Sequence, residues 1–428
     1  MLPHGTACGD GVIDPGEECD DWNRLNGDGC DWICRIGDGD PRPAHDLTTP
    51  DYESTGDPAP VPDTAYAARV EAERLPFVWT GEEYATTFFQ RGETEGAMGR
   101  IRFVRFDADG RRIDAEWAMP VFQSYGGLEV VWIGDGFALF FVDLDTGLWY
   151  MRLDAAGKPL APPVLVEGDS RVRAPAADVA PDGTLAVVWV REEDPVVAGW
   201  SWCTLEEDDL IRARRIDLGG TPIGPVYTVD VLAQGPPDIA AGDGGFGLLF
   251  PVALDNPEDN CESRFVKLDG GLENPVESGV LGGAQGSGDV KWLAGDSRWV
   301  TSWGSGYTPD LPEAEIRVAL VAPDGSLAAA PVRNGVGFGD WLDRPVRVAA
   351  GDGGMSLVTS TGSRLLYLRT DLHGVAISSV RDVWVFPELE GFHGYSTVWD
   401  ADGFAVLFDR DGAYVEDQLY LRHFVRVE

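Results

Sequence analysis

Six cysteines carry the most decided chemistry in the chain, and four of them crowd together as Cys8, Cys19, Cys30 and Cys34. The other two, Cys203 and Cys261, lie far downstream. An even count with a dense cluster reads as disulfides made in an oxidising compartment. Zinc would need cysteines paired at C-x2-4-C spacing, and only Cys30 and Cys34 fit, with His4 and His45 the nearest imidazoles. Disulfides are therefore the expectation, and the pairing of the four clustered cysteines stays open among three choices. Oxygen ligands are interleaved with them: Asp10, Asp14, Glu17, Glu18, Asp20, Asp21, Asn23, Asn26 and Asp28. Calcium takes six to eight such oxygens from flexible loops. Asp10, Asp14, Glu17, Asp20, Asp21, Asn23 and Asp28 are accordingly the candidate Ca2+ ligands, although their spacing is not that of an EF-hand. The plain alternative is a solvated, turn-rich acidic surface.

A second set of residues suits ligand recognition. Trp200 and Trp202 stand in the segment 191–209, outside any strand pattern. With Tyr307, Trp341 and His393 they could build an aromatic platform, on which a sugar ring stacks while nearby carboxylates take its hydroxyls. The competing expectation is that the two tryptophans only pack their loop. The paired acids Asp107/Asp109, Asp143/Asp145, Asp400/Asp402 and Asp409/Asp411 resemble metal ligands by composition. Glycine follows closely after them, however, and Asp before Gly is turn chemistry, because such turns need φ > 0. Neither H-E-x-x-H nor G-x-S-x-G occurs, and no phosphate-binding glycine motif is present. The remaining enzymatic option is a carboxylate pair of glycosidase or lyase type, which 72 acidic residues leave unassigned.

The amino-terminal stretch 8–36 has a longer pattern. It runs Cys8-Gly9-Asp10-Gly11, then Gly16-Glu17-Glu18-Cys19-Asp20-Asp21, then Asn23, Gly27-Asp28-Gly29-Cys30 and Cys34. This resembles the Myxococcus cysteine-rich repeat, a small disulfide module of bacterial surface proteins. Trp22 stands where that family usually has Gly. The resemblance implies an extracellular setting and no particular activity. On its own composition the stretch has too few apolar residues to fold by burial, and covalent staples would have to hold it.

These residues need elements to position them. Residues 37–64 are rich in Pro and Asp and read as an extended linker, with a strap lying on the next domain as the alternative. From residue 65 to 428 one pattern recurs seven times: a β run, an Asp/Gly turn, an apolar β run, a loop, and an alternating β run that often ends in a second Asp/Gly turn. The first turns are marked by Gly81, Asp135, Asp182, Asp243, Asp296, Asp352 and Asp402. A further set of turns, each after the third strand of its unit, is 107–110, 154–157, 217–220, 269–271, 323–325 and 371–374. Asp-Gly between alternating runs is the strongest short-range hairpin signal. Units of about 50 residues with four antiparallel strands indicate a propeller. The expected fold is all-β, a seven-bladed propeller over 65–428 behind a cysteine-rich module at 1–36. The last unit lacks a fourth strand, and residues 65–73 are expected to supply it and close the ring. Trp79, Trp132, Trp189, Trp292, Trp299, Trp303 and Trp399 fall in or beside strands and are expected to pack between blades.

In such blades the first and third turns share one face of the disc. The second turns and the blade-to-blade links share the other. The long segments 91–99, 191–209, 251–263, 304–313, 333–343, 385–394 and 409–417 all belong to the second face, so binding is expected there. Cys203 and Cys261 occupy equivalent long segments of adjacent blades, and a Cys203–Cys261 bridge is expected.

The whole chain bears 72 acidic against 33 basic side chains, a net charge of −39. That excludes phosphate binding through a basic face and polybasic membrane docking. No apolar run is long enough to span a bilayer. No charged start followed by an apolar stretch opens the sequence, so a signal peptide is read as absent from this chain. The reading is a secreted or cell-surface bacterial protein that binds a glycan or an extracellular protein. The alternatives are an assembly component of an envelope or matrix, and the carbohydrate-active enzyme. Ca2+ is the one cofactor considered.

Overall fold

The computed structural model describes residues 52–54, 59–60, 75–90, 99–113, 117–121, 127–192, 209–233, 235–252, 261–273, 275–284, 288–305, 315–335, 345–351, 353–361, 364–385, 390–391, 394–400, 403–412 and 415–426. All of its regular structure is β. After β1 (Tyr52–Ser54) and β2 (Ala59–Pro60) come seven antiparallel meanders. Blade one is β3 (Phe77–Trp79), β4 (Tyr84–Gln90), β5 (Gly99–Phe106) and β6 (Trp117–Val121). Blade two is β7 (Leu128–Trp132), β8 (Gly136–Asp143), β9 (Gly147–Asp154) and β10 (Val164–Glu167). Blade three is β11 (Val172–Val179), β12 (Leu185–Arg191), β13 (Asp209–Ile216) and β14 (Pro222–Ala233). Blade four is β15 (Asp238–Gly242), β16 (Gly245–Val252), β17 (Cys261–Asp269) and β18 (Val276–Ala284). Blade five is β19 (Asp289–Leu293), β20 (Arg298–Ser305), β21 (Glu315–Val321) and β22 (Val332–Gly335). Blade six is β23 (Arg347–Gly351), β24 (Gly354–Thr361), β25 (Arg364–Thr370) and β26 (Arg381–Val385). Blade seven follows the short β27 (Glu390–Gly391) with β28 (Tyr395–Trp399), β29 (Gly403–Gly412) and β30 (Val415–Arg426).

The first strands form the inner ring. Each lies against the first strand of the next blade, and β28 lies against β3, so the ring is closed. Each of the seven seams has its own apolar core. Phe103 and Phe137 meet between blades one and two, Phe140 and Trp189 between two and three, and Leu407 and Phe88 between seven and one. The tryptophans expected to pack do so. Trp189, Trp299 and Trp303 are fully buried, and Trp79, Trp132, Trp292 and Trp399 are half-buried against these cores.

The turns are where the sequence places them. Asp107, Asp154, Asp217, Asp269 and Asp371 each accept through Oδ1 the N–H of the residue four positions on, at 2.7 to 2.9 Å. This caps the turn from inside. The fourth turn residue takes φ between +76° and +88° at Gly110, Gly157, Gly220, Gly325 and Gly374. Blade two departs from the face rule. Its second turn, Asp143–Gly147, is as tight as the others, with Gly147 at φ +116° and the Asp145 N–H donating to Asp143 Oδ1 at 2.9 Å. The paired acids Asp107/Asp109 and Asp143/Asp145 are thus engaged in turns, and Asp109 also meets Arg111 at 2.9 Å.

The outer edge of β30 is paired by β1 and β2, with Glu53 opposite Val425 and Ala59 opposite Leu421. The strand that completes blade seven therefore comes from within the segment read as a linker. Residues 65–73, expected to close the ring, lie outside the described residues. The physical reason is that pairing at an outer edge asks only for backbone hydrogen bonds on one side. Pro60 is tolerated there as it would not be in a central strand.

Candidate binding face

The inner strands all start at the face that carries the long segments. At one equivalent register position of the inner strands stand Glu129, Asp238, Asp289, Arg347 and Ser396, opposite Phe140, Leu249, Ser302, Val358 and Leu407. Blades two and four to seven thus place polar side chains on one level near the mouth of the axis, and four of the five are ionisable. All five are buried; Glu129, Asp238 and Asp289 are 3%, 2% and 3% exposed and Arg347 2%. Such burial of charge is costly unless each group is bonded.

The bonds explain part of the arrangement. The inner edge of a first strand presents backbone N–H groups that no fifth strand pairs, and buried donors need acceptors. Asp238 Oδ2 accepts the Val290 N–H and Asp289 Oδ2 accepts the Val348 N–H, both at 2.8 Å. Asp178, on β11, accepts the Ala241 N–H through Oδ2 at 2.7 Å and its neighbour's, Val179, through Oδ1. Blade three is thereby tied to four, four to five and five to six. Burial pushes the Asp178 carboxyl above its usual range, opposed by those two N–H donors. Lys291 Nζ sits 3.0 Å from Asp289 Oδ1 and is the more open cation, 35% exposed along its side chain. Arg347 Nη1 donates to the Gly288 carbonyl at 3.4 Å.

On the same face, Arg171 and Arg191 converge on Asp169, at 3.1 and 2.7 Å, and Arg173 meets Glu192 at 3.1 Å. These residues flank the start of the segment 193–208. The inner strands thus carry a buried polar level of Glu129, Asp238, Asp289 and Arg347 just below the mouth of the axis, with Lys291 as its more open cation. Among the described residues no group of three His, Cys, Asp or Glu could hold a metal ion.

The candidate ligand residues Trp200, Trp202, Tyr307, Trp341 and His393 lie outside the described residues. So do the candidate Ca2+ ligands Asp10, Asp14, Glu17, Asp20, Asp21, Asn23 and Asp28, and the cysteines Cys8, Cys19, Cys30, Cys34 and Cys203. Cys261 opens β17, opposite Ala284. The strand ends that bracket 193–208, 306–314, 336–344 and 392–393 do share the mouth face, as the meander requires. The axial polar level was not picked out by sequence reasoning, which assigned only the paired acids to turns and left any acids near the axis unchosen. Its signal is a charged residue just before a short apolar run, as in Gly288-Asp289-Val290 and Val346-Arg347-Val348.

No family model matches this chain. A short stretch is similar to pappalysin-1, with 63% identity over 38 residues in Mus musculus and 60% over 35 in Homo sapiens. That is 8% of this chain, and the chain spans about 2% of the length of these curated relatives. Among solved structures, the WD40 domain of Toxoplasma gondii coronin is similar with a TM-score of 0.51 and 12% identity, covering 88% of this chain and 87% of that one. A protein of unknown function from Dyadobacter fermentans has a TM-score of 0.50 and 11% identity over 88% and 99% of the two chains. The polysaccharide lyase Uly1 has a TM-score of 0.50 and 9% identity over 83% and 90%. At such identities the likeness is one of fold, and it makes the larger part of this chain a β-propeller.

Proposed function

We propose that the protein is a secreted or cell-surface bacterial binding protein whose propeller takes a glycan or an extracellular protein on the mouth face. The observation that carries this reading is the axial level of Glu129, Asp238, Asp289 and Arg347, with Lys291 beside it, at the end of the disc from which most of the long segments leave. The opposite face is clipped by short capped turns and offers little to recognise. Binding residues favour elaborated segments held by a rigid scaffold. Trp200, Trp202, Tyr307, Trp341 and His393 are the proposed stacking residues, and a Cys203–Cys261 bridge would tie two of the segments. The amino-terminal module, read as a disulfide-stapled Myxococcus cysteine-rich repeat with Ca2+ bound by its acids, would serve as an arm on the surface. Binding is preferred over a glycosidase or lyase because Asp238 and Asp289 each commit an oxygen to a neighbouring blade, which removes them as a mobile acid and base pair.

The test is a glycan and bacterial-polysaccharide array probed with the full chain in Ca2+. A consistent sugar epitope is expected, lost at least tenfold in Lys291→Gln and in the Trp200→Ala/Trp202→Ala pair, with no product released. A blank array together with concentration-dependent self-association would overturn the reading in favour of an assembly role. Non-reducing peptide mapping checks the bridge: a peptide joining Cys203 to Cys261 is expected, and Cys203 linked elsewhere refutes it.

A further inference from the structure

The short turns themselves present little beyond glycines and acids, but the axis they encircle ends in aromatic rings. At one register position of the inner strands, close to the first turn, stand Trp79, Trp132, Trp292 and Trp399, opposite Tyr84, Phe137, Trp299 and Phe404. Blades three, four and six hold Val179, Ala241 and Ala350 there. Trp399, Trp79 and Trp132 belong to blades seven, one and two, so they stand at three consecutive seams of the ring. The rings of Trp292 and Trp399 reach over the end of the preceding blade, where a Cβ on Gly242 or Gly351 would overlap them.

Packing alone does not ask for this arc. Valine or alanine serves at the position in three blades. Each tryptophan stays half-buried, although Trp79, Trp132 and Trp292 lean on the fully buried rings of Tyr84, Phe137 and Trp299 at 4.5, 4.9 and 4.7 Å. Large rings left partly in water, side by side, mark a contact surface. Their polar edges are open as well. The fully buried Trp299 donates its indole N–H to the Ala240 carbonyl at 3.1 Å, whereas those of Trp79, Trp132 and Trp292 have no protein acceptor among the described residues. In sequence an acid follows each tryptophan of the arc at the third position: Asp402, Glu82 and Asp135. Asp402 lies outside the described residues. Glu82 is exposed, and the Asp135 side chain is 69% exposed while it meets Arg152.

We propose that the arc of Trp399, Trp79 and Trp132 is a second binding site, for a pyranose glycan free of acidic groups. Half-open indole faces stack on the C–H face of a sugar ring, and their N–H groups donate to its oxygens. The turn carboxylates beside them accept from its hydroxyl or amino groups. An ammonium on the sugar is drawn to the ring faces and to the carboxylates together. A carboxylate or sulfate on the sugar is repelled by those acids and by a chain of net charge −39. The site is separate from the mouth, because the inner strands run from the mouth to the first turns and the arc lies at their far end.

The experiment is isothermal titration of the full chain with cellohexaose, with the hexamer of glucosamine and with the hexamer of galacturonate. The first two should bind and the third should give no heat. In Trp79→Ala/Trp132→Ala the affinity for both should fall at least tenfold. Glu82→Lys/Asp135→Lys, at exposed positions, should weaken the glucosamine hexamer at least fivefold. The same titrations on Lys291→Gln locate the heat: affinity lost there and kept in the tryptophan pair would assign the sugar to the mouth and overturn this site. Absence of binding by both non-acidic hexamers would overturn it too, and would leave the mouth-face reading to its own array. If the tryptophan pair does not fold, unchanged glucosamine binding in the lysine pair would overturn it equally.

Discussion

Leu272 holds φ at +66°, where five other blades place a glycine in the equivalent turn. The left-handed region costs a non-glycine residue roughly 1–2 kcal/mol. The strain persists because the side chain is buried at 1% exposure in the core between blades three and four. Two substitutions separate strain from burial. Leu272→Ala removes the packing and keeps the strain, at a cost of about 2–5 kcal/mol. Leu272→Gly removes both and should cost about 1 kcal/mol less than Ala, reversing the usual order of the two residues. Urea denaturation of the pair reads the difference directly. Asp178 offers a second test. Its carboxyl is raised by burial, so the folded chain binds that proton more tightly than the unfolded one. Its contribution is present at acid pH and is lost as pH rises through the folded value. Asp178→Asn keeps an acceptor for the Ala241 N–H and carries no charge. The variant should therefore gain stability on wild type between pH 3.5 and pH 7, and a constant difference would contradict the assignment.

At the scale of strands, the blades are joined by two devices, apolar seams and carboxylates that cap a neighbour's inner edge. Asp289→Ala would leave the Val348 N–H buried without its acceptor, a cost of about 1–3 kcal/mol. Asp289→Asn should recover most of it, and the same denaturation curves show whether it does. The outer strand of blade seven has a different weight. Removing residues up to Pro60 strips β1 and β2 from β30 and should lower Tm by several degrees, while the inner ring of β28 against β3 stays intact. How much of this was legible follows from the kind of force involved. The hairpins were legible because Asp-Gly turns are local chemistry, written in adjacent residues. The blade count and the packing of Trp189, Trp299 and Trp303 followed from that periodicity. The closing strand was not legible, because Tyr52–Ser54 and Ala59–Pro60 pair through backbone at an edge and need no strand composition. The axial charges were hidden for a related reason. An acid that caps a neighbouring blade sits far in sequence from the N–H it serves, 52 residues for Asp238 and Val290, and its own sequence neighbours do not mark it.

At the scale of the molecule, a net charge of −39 works against the compact ring. Self-repulsion of surface carboxylates destabilises a folded state, and salt relieves it as the screening length falls from about 30 Å at 0.01 M to about 10 Å at 0.1 M. Several of the acids are engaged by cations, such as Asp382 by Arg364 at 2.7 Å and Glu315 by Arg333 at 2.6 Å, but basic side chains are fewer than half as many. Exposed pairs of this sort contribute at most about 1 kcal/mol each and are weakened by the same salt. The two effects have opposite signs, and the excess of acids decides between them. Sodium chloride should raise Tm, most steeply below about 0.2 M, where screening lengths still exceed the spacing of surface charges. Chloride is the right anion for the test, because sulfate would also strengthen apolar burial. A Tm that falls with sodium chloride would mean that the ion pairs, and not the unpaired carboxylates, dominate the surface.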